Sequence, residues 1–319
     1  MTLDDEAPAA SALSDREAFA ALGNETRLRI LQALGEAGEP LSFSDLRGLV
    51  GTRDSGQFNY HLGKLEGHFI ARTDDGYRLR RAGSRIVEAI SSGTVTDSPV
   101  VPRTPIDGEC PYCDAPIEAR YHQERLELFC SECSGTWGGD RPDHWGYLGF
   151  HSLPPAGLER RTLEEAARAA WTWQNLRILS ISSGICPSCS AAIDRWAEVC
   201  GDHDPVDGHC GRCNRRHAAQ YRFRCTNCIF EGGGNFAVHL AANTDLLALL
   251  IAHGLDPIAP ERISAVERVH SDYEEEILST EPFGARFRFT VGDDALTLTV
   301  GEDLSVVDAT ADPEPGAAT

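Results

Sequence analysis

Apolar positions in the first quarter of the chain recur at helical spacing, in short runs opened by capping residues and closed by glycine. Ser14 with Glu17 forms a capping box ahead of Phe19 and Leu22. Asn24 caps a second helix with the stripe Leu28, Ile30, Leu31 and Leu34, ended by Gly35 and Gly38. Ser42 with Asp45 opens a third, carrying Leu46, Leu49 and Val50 and stopped by Gly51. Asp54 with Gln57 opens a fourth, in which Phe58, Leu62 and Leu65 repeat at i, i+4 and i+7. Two strands follow, Ile70–Thr73 and Tyr77–Arg80, joined by Asp74-Asp75-Gly76, a strong hairpin signal. A last helix is predicted from Ala82 to Ile90. This order predicts a winged helix-turn-helix over residues 14–92.

The pattern then lapses. Ser91 to Pro105 is rich in Ser, Thr and Pro and has no apolar period, so residues 93–108 read as a linker. Beyond it, strand-like runs end at cysteine pairs: Leu126–Phe129 before Cys130, and Ala218–Arg224 before Cys225. Thr162 with Glu165 opens a helix to about Leu179, with Leu163, Ala166, Ala170 and Trp173 on one face. A second helix is predicted at Thr244–His253. Arg286–Thr290, Leu296–Val300 and Leu304–Val307 alternate apolar and polar between Gly-Asp turns, which predicts a small antiparallel sheet. The fold class is therefore α+β and multidomain. A zinc ribbon plus helix spans 109–183, a second zinc-binding module plus helix 184–260, and a β-rich region 261–312. Residues 1–13, and those from about Asp312 onward, read as disordered.

Composition narrows the setting. The net charge is -20, and of 29 basic residues only Lys64 is lysine. An acidic chain nearly devoid of lysine resembles proteins of salt-loving archaea, where carboxylates keep a surface hydrated in molar salt. Leu246 to Ala252 is the best apolar run, too short to span a bilayer, and Met1 to Pro8 lacks the layout of a signal peptide. A cytoplasmic location without membrane partners is expected. Disulfides are rare there, so 11 cysteines point to metal.

The run from Phe19 to Leu31 (FAALGNETRLRIL) resembles the opening of the ArsR-type winged-helix regulators. The resemblance continues through Phe58 to Leu65 (FNYHLGKL) and Gly67 to Ile70 (GHFI), and covers about 80 residues in specific order. It implies a homodimer on double-stranded DNA, with each fourth helix in the major groove and each wing over a backbone or minor groove. The residues argue the same way. With Phe58 inward, Leu62 and Leu65 fall within about 40° of it, while Gly56, Tyr60, Gly63 and Lys64 lie opposite and Gln57 and Asn59 flank them. Asn and Gln can read adenine edges, and Lys reaches guanine or phosphate. From Arg53 to Arg85, seven basic residues (Arg53, Lys64, Arg72, Arg78, Arg80, Arg81, Arg85) face four acidic ones (Asp54, Glu66, Asp74, Asp75). The expected DNA-binding set is Gln57, Asn59, Tyr60, Lys64, Arg72, Arg78 and Arg80. His61 reads better as a packed residue at the edge of the core.

The metal signal is stronger still. Cys110-x2-Cys113 and Cys130-x2-Cys133 flank sixteen residues, the spacing of a closed tetrahedral zinc site folded on a β-hairpin. Cys186-Pro-Ser-Cys189 repeats the Cys-Pro-x-Cys-x-Ala-x-Ile-acid pattern of Cys110, and its closing pair is expected to be Cys225 and Cys228. Between them lie Cys200-x2-His203 and Cys210-x2-Cys213. Twelve donors make up to three sites, so two to three structural zinc ions are expected. Within the second cluster the grouping stays open. Cys186 and Cys189 can instead pair with Cys210 and Cys213, and His209 or His217 can replace His203. Ribbon-then-helix twice suggests an internal duplication.

No H-E-x-x-H, P-loop, G-x-S-x-G or dinucleotide fingerprint is present, and Glu274–Glu276 reads as a solvated face. An enzyme is not expected. Residues 1–109 contain no cysteine, so metal sensing by the helices of the winged-helix part is not supported. The leading expectation is a dimeric DNA-binding regulator whose zinc module binds an effector or partner or extends the dimer. The rival is a zinc-ribbon adaptor that binds transcription machinery.

Overall fold

The computed structural model describes residues 13–137, 144–206 and 208–312. The disorder expected for residues 1–13 and from about Asp312 onward lies outside these, except at Leu13 and at Asp312, which ends a strand. The chain divides into two compact units, Met1–Asp97 and Ser98–Thr319.

The first unit consists of α1 (Asp15–Leu22), α2 (Glu25–Ala37), α3 (Phe43–Val50), α4 (Ser55–Leu65), the hairpin β1 (Ile70–Thr73) and β2 (Gly76–Leu79), and α5 (Arg81–Ser91). Each of the first four helices is capped by the residue its sequence proposes: the side chains of Ser14, Asn24, Ser42 and Asp54 accept backbone N–H bonds from the first turn. Their inner faces build one core from Ile30, Leu31, Leu34, Leu46, Val50, Phe58, Leu62, Leu65, Phe69 and Ile70. Gly35 does not end α2. The helix runs past it to a left-handed Gly38, and Val87 of α5 presses so closely on Gly35 that a Cβ there would meet it at 2.8 Å. Two apolar positions of the predicted stripes point outward, Phe19 at 74% and Leu49 at 65% exposed. A core this small covers only a narrow arc of each helix.

The second unit is α+β. The first ribbon is an antiparallel sheet in the order β3 (Val101–Glu109), β4 (Pro116–His122), β5 (Arg125–Cys130), β6 (Tyr147–Ser152). Strand β3 falls inside the expected linker, so the connection between the units is shorter than residues 93–108. Pro102 and Pro105 suggested a linker, yet β3 is an edge strand, where proline is tolerated. Arg103 anchors it. Its guanidinium pairs with Glu118, donates to the carbonyl oxygens of Trp145 (3.0 Å) and Cys130 (3.1 Å), and lies over the Phe129 ring.

The second ribbon has a three-stranded sheet of β7 (Ile193–Val199), β10 (Ala219–Cys225) and β11 (Glu231–Asn235), with β10 central. A two-stranded hairpin, β8 (Pro205–Val206) and β9 (His209–Cys210), is inserted between β7 and β10. Helices α7 (Phe236–Leu240), α8 (Thr244–Ala252) and α9 (Ile263–Ser271) lead to a four-stranded antiparallel sheet of β12 (Glu274–Thr280), β13 (Phe283–Val291), β14 (Asp294–Val300) and β15 (Val306–Asp312). The final sheet is larger than the sequence proposed. Its first strand is the Glu274–Glu276 run, and Glu275 accepts backbone N–H bonds from Ala218 and Ala219 instead of facing solvent. Leu304 is buried in the turn before β15 rather than on a strand.

The long helix α6 (Leu163–Ser182) packs on two cores at once. Ala166, Ala167 and Ala170 meet the first ribbon at Ala119, Tyr121, Leu126 and Leu128. Trp171 and Ile181 join the larger core of the second ribbon and final sheet, with Tyr221, Phe236, Phe287 and Phe289. The expected inward tryptophan, Trp173, is 45% exposed, whereas Trp171 is buried and donates its indole N–H to the carbonyl oxygen of Pro257 at 3.1 Å. That oxygen lies far along the chain, so the periodicity of α6 alone does not select Trp171.

His270 of α9 stacks parallel to Trp171, at 6.2 Å between centroids. Burial pushes its imidazole pKa down to about 4. The neutral ring is the folded form, so its contribution to stability is complete above the unfolded pKa and is lost as pH falls from about 6.5 towards 4. Between pH 7 and pH 5 this amounts to about 2 kcal/mol. Chemical denaturation of the wild type and of His270→Phe at both pH values checks it; the variant should show a pH dependence smaller by that amount.

Candidate metal centres and candidate nucleic-acid face

Three donor groups assemble in the second unit. They are Cys110, Cys113, Cys130 and Cys133; Cys186, Cys189, Cys225 and Cys228; and Cys200, His203, Cys210 and Cys213. In each, the ligand atoms all lie within 4.8 Å of one another. Of the groupings left open by the sequence, this is the one in which Cys225 and Cys228 close on Cys186 and Cys189, with the third group nested between β7 and β10. His209 and His217 are occupied elsewhere. His209 bonds Ser134 Oγ (3.3 Å) and the Gly135 carbonyl (3.1 Å), and His217 stacks on Tyr273 and donates from Nε2 to the Ser271 carbonyl (3.0 Å).

One backbone turn recurs three times. The N–H of Cys110, Cys186 and Cys210 donates to the carbonyl five residues on, in Ala115, Ala191 and Arg215, at 2.8, 2.9 and 3.0 Å. The residue after the second cysteine, Asp114, Ser190 or Asn214, is left-handed (φ 58, 63 and 55°) and returns its N–H to the first cysteine's carbonyl. The repeated Cys-Pro-x-Cys signalled this turn in two places; Cys210-Gly-Arg-Cys213 adopts it without the proline. Amides also point at sulfur. Cys130 Sγ accepts from Glu132 (3.3 Å) and Cys133 (3.2 Å), and Cys225 Sγ from Asn227 and Cys228 (both 3.4 Å). Such bonds favour thiolate. The backbone N–H of Ala191, aided by Asn227, holds Cys189 down to about 6, and the N–H groups of Cys213, Asp204 and Arg212 do the same for Cys210.

The donor sets fit a tetrahedral ion. Four sulfurs about 2.3 Å from zinc lie roughly 3.8 Å apart. The sulfur separations here are 3.6 Å (Cys110–Cys133), 3.5 Å (Cys113–Cys130), 3.7 Å (Cys186–Cys228) and 3.4 Å (Cys189–Cys225), and His203 Nδ1 is 3.5 Å from Cys213 Sγ.

In the first unit the exposed face of α4 carries Gln57, Asn59, Tyr60, Gly63 and Lys64, while Phe58, His61, Leu62 and Leu65 are buried. Lys64 Nζ lies over the Tyr60 ring at 5.5 Å. His61 is packed as expected, and burial, with Arg27 beside it, lowers its pKa. On the hairpin Arg72 and Arg78 are exposed, and Arg80 is half-buried at its base. Arg81 and Arg85 of α5 are engaged by Glu88 at 3.3 and 3.1 Å, which reduces their value to an anion.

A family model described as Domain of unknown function (DUF7351) matches residues 107–306, well over half of the chain. The chain belongs to the DUF7351 family. A second, Domain of unknown function (DUF7347), matches residues 15–90 within the first unit, so the two matches fall on either side of the division between the units. Every metal donor of this DUF7351 member lies inside the first match. No curated protein and no solved structure matches the chain. Among the described residues no helix is long and apolar enough to cross a membrane.

Sequence reasoning missed the groups that join the donor sets to their surroundings. Arg216 stacks over the Tyr112 ring at 3.8 Å and donates Nε–H to the Gly135 carbonyl at 2.9 Å, linking the third donor group to both knuckles of the first. Nothing in its local spacing marks it.

The buried Cys225 belongs to the same core as Tyr221, Phe287 and Phe289. Cys225→Ser should therefore remove one metal equivalent by elemental analysis and abolish cooperative melting of the second unit. Amide exchange in residues 15–91 should be unchanged.

Proposed function

We propose that this chain is a DNA-binding transcription regulator of the winged helix-turn-helix class, acting as a cytoplasmic homodimer on double-stranded DNA. The observation that carries this reading is the two-sided α4, with an apolar inner face and an outer row of Gln57, Asn59, Tyr60 and Lys64. Gly63 and Gly56 on that outer side, where an added Cβ at Gly63 would meet nothing within 4 Å, allow close approach to a groove floor. Supporting it are the element order of the first unit, the Asp74-Asp75-Gly76 hairpin with exposed Arg72 and Arg78, and the ArsR-type resemblance of Phe19 to Ile70. Asn and Gln supply adenine readout, Lys64 reaches guanine or phosphate, and the hairpin arginines contact the backbone.

The three donor groups are read as zinc sites. Thiolate and imidazole donors at tetrahedral separation suit zinc, and four protein ligands per ion leave no open position, so the metals organise structure rather than a reaction. An adaptor reading, in which the second unit docks on transcription machinery, draws on the exposed Ile229 (101%), Leu176 (54%) and Trp173 (45%).

The test is fluorescence anisotropy with the chain's own upstream DNA in molar potassium salt. Saturable binding to a short palindrome is expected. The Gln57, Tyr60 and Lys64 triple alanine variant should weaken it by about a hundredfold, and Arg72→Ala should lower the salt slope by about 1. No sequence-preferring binding by folded, metal-loaded protein would refute the regulator reading and favour the adaptor.

A further inference from the structure

The three donor groups are not equivalent in their surroundings. Cys110 and Cys130 sit in one apolar cluster, and Cys186 and Cys225 in another. None of Cys200, His203, Cys210 and Cys213 belongs to these or the other apolar clusters, although Cys210 itself is buried. They flank the short β8–β9 hairpin, with Cys210 on β9, and their donor set replaces one thiolate with an imidazole. Cys200 and His203 also line a cavity of about 520 Å³, walled by Arg216, His217, Tyr273 and Glu275, which gives an ion and its competitors a route to the ligands.

The same group holds a contact between ribbons. His203 donates from Nε2 to the Arg216 carbonyl at 3.0 Å, a tautomer that leaves its Nδ1 lone pair directed at the thiols. Arg216 in turn stacks on Tyr112 and bonds Gly135, His209 bonds Ser134 and Gly135, and Arg215 bridges to Trp137. A ligand of the third group is thus one hydrogen bond from the residue that grips the first ribbon.

We propose that Cys200, His203, Cys210 and Cys213 form an exchangeable site for a borderline-soft divalent cation of the zinc type, whose occupancy clasps the first ribbon onto the second. The other two ions hold apolar cores and stay in place; this one leaves and returns, and its loss frees the segment from Ser134 to Thr136. The inference rests on the metal reading of all three groups. The total metal count tests that reading, and the release rate tests the exchange.

The experiment loads the full chain with zinc and follows release to an excess of a chromophoric chelator, with amide exchange measured alongside. Three equivalents are expected, one leaving about tenfold faster than the others. Its loss should raise exchange in residues 134–136 and 203–217 and leave the core strands β10 and β13 protected. His203→Ala should lack the fast equivalent, and His203→Cys, which restores four thiolates, should slow it to the rate of the other two. Release of all three ions in one phase overturns the proposal. So does a fast phase that survives in both variants, or unchanged exchange at 134–136 after the fast ion has gone. A total below three equivalents refutes the metal reading of all three groups, on which the proposal rests.

Discussion

The second unit is organised around three groups of four donor atoms, each group held within 4.8 Å of one another. The chain does this with a turn rather than with a long element. A left-handed residue after the second cysteine lets the strand double back, and in the opposing knuckles backbone amides point at sulfur. An ion held by such a group would neutralise the remaining charge, and its binding energy would then be folding energy. The nesting sets the order of closure. The third group closes within the segment from Cys200 to Cys213, whereas the second encloses that segment entirely. A short loop costs less chain entropy to close, so the inner site can form before the outer one.

With the knuckles fixed, the strands leaving them have little freedom, and the cores follow. Cys225 ends β10, which pairs with β7 on one side and β11 on the other and places Tyr221 and Phe223 under Phe236. The C-terminal sheet covers this layer, and Glu275 ties the two by accepting the N–H groups of Ala218 and Ala219. Helix α6 serves both ribbons. Its small Ala166, Ala167 and Ala170 allow a close approach to the first, and Trp171 supplies bulk to the second. One helix thereby makes the two ribbons and the sheet a single unit rather than three domains in series.

The first unit obeys a simpler constraint. Its core uses one narrow stripe from each helix, which leaves the opposite side of α4 free of any structural duty. Basic residues concentrate on and around that side in a chain of net charge -20. Under the DNA-binding reading proposed above, a face that meets phosphates would be spared carboxylates.

Local chemistry made much of this legible without coordinates. Ser14, Asn24, Ser42 and Asp54 cap the helices they precede, Asp74-Asp75-Gly76 turns the hairpin, and Cys-x2-Cys spacing names the donors, because each signal acts within a few residues. What the sequence left open depends on distance along the chain. Pairing of Cys189 with Cys225 rather than Cys210 is decided by the β7–β10 register. Trp171 is chosen over Trp173 by the carbonyl of Pro257, and Glu275 is drawn out of solvent to a half-buried position by the amides of Ala218 and Ala219. The strand within the presumed linker exists because β4 offers it an edge and Arg103 anchors it. Periodicity states which faces are apolar; only packing decides which partner each face meets.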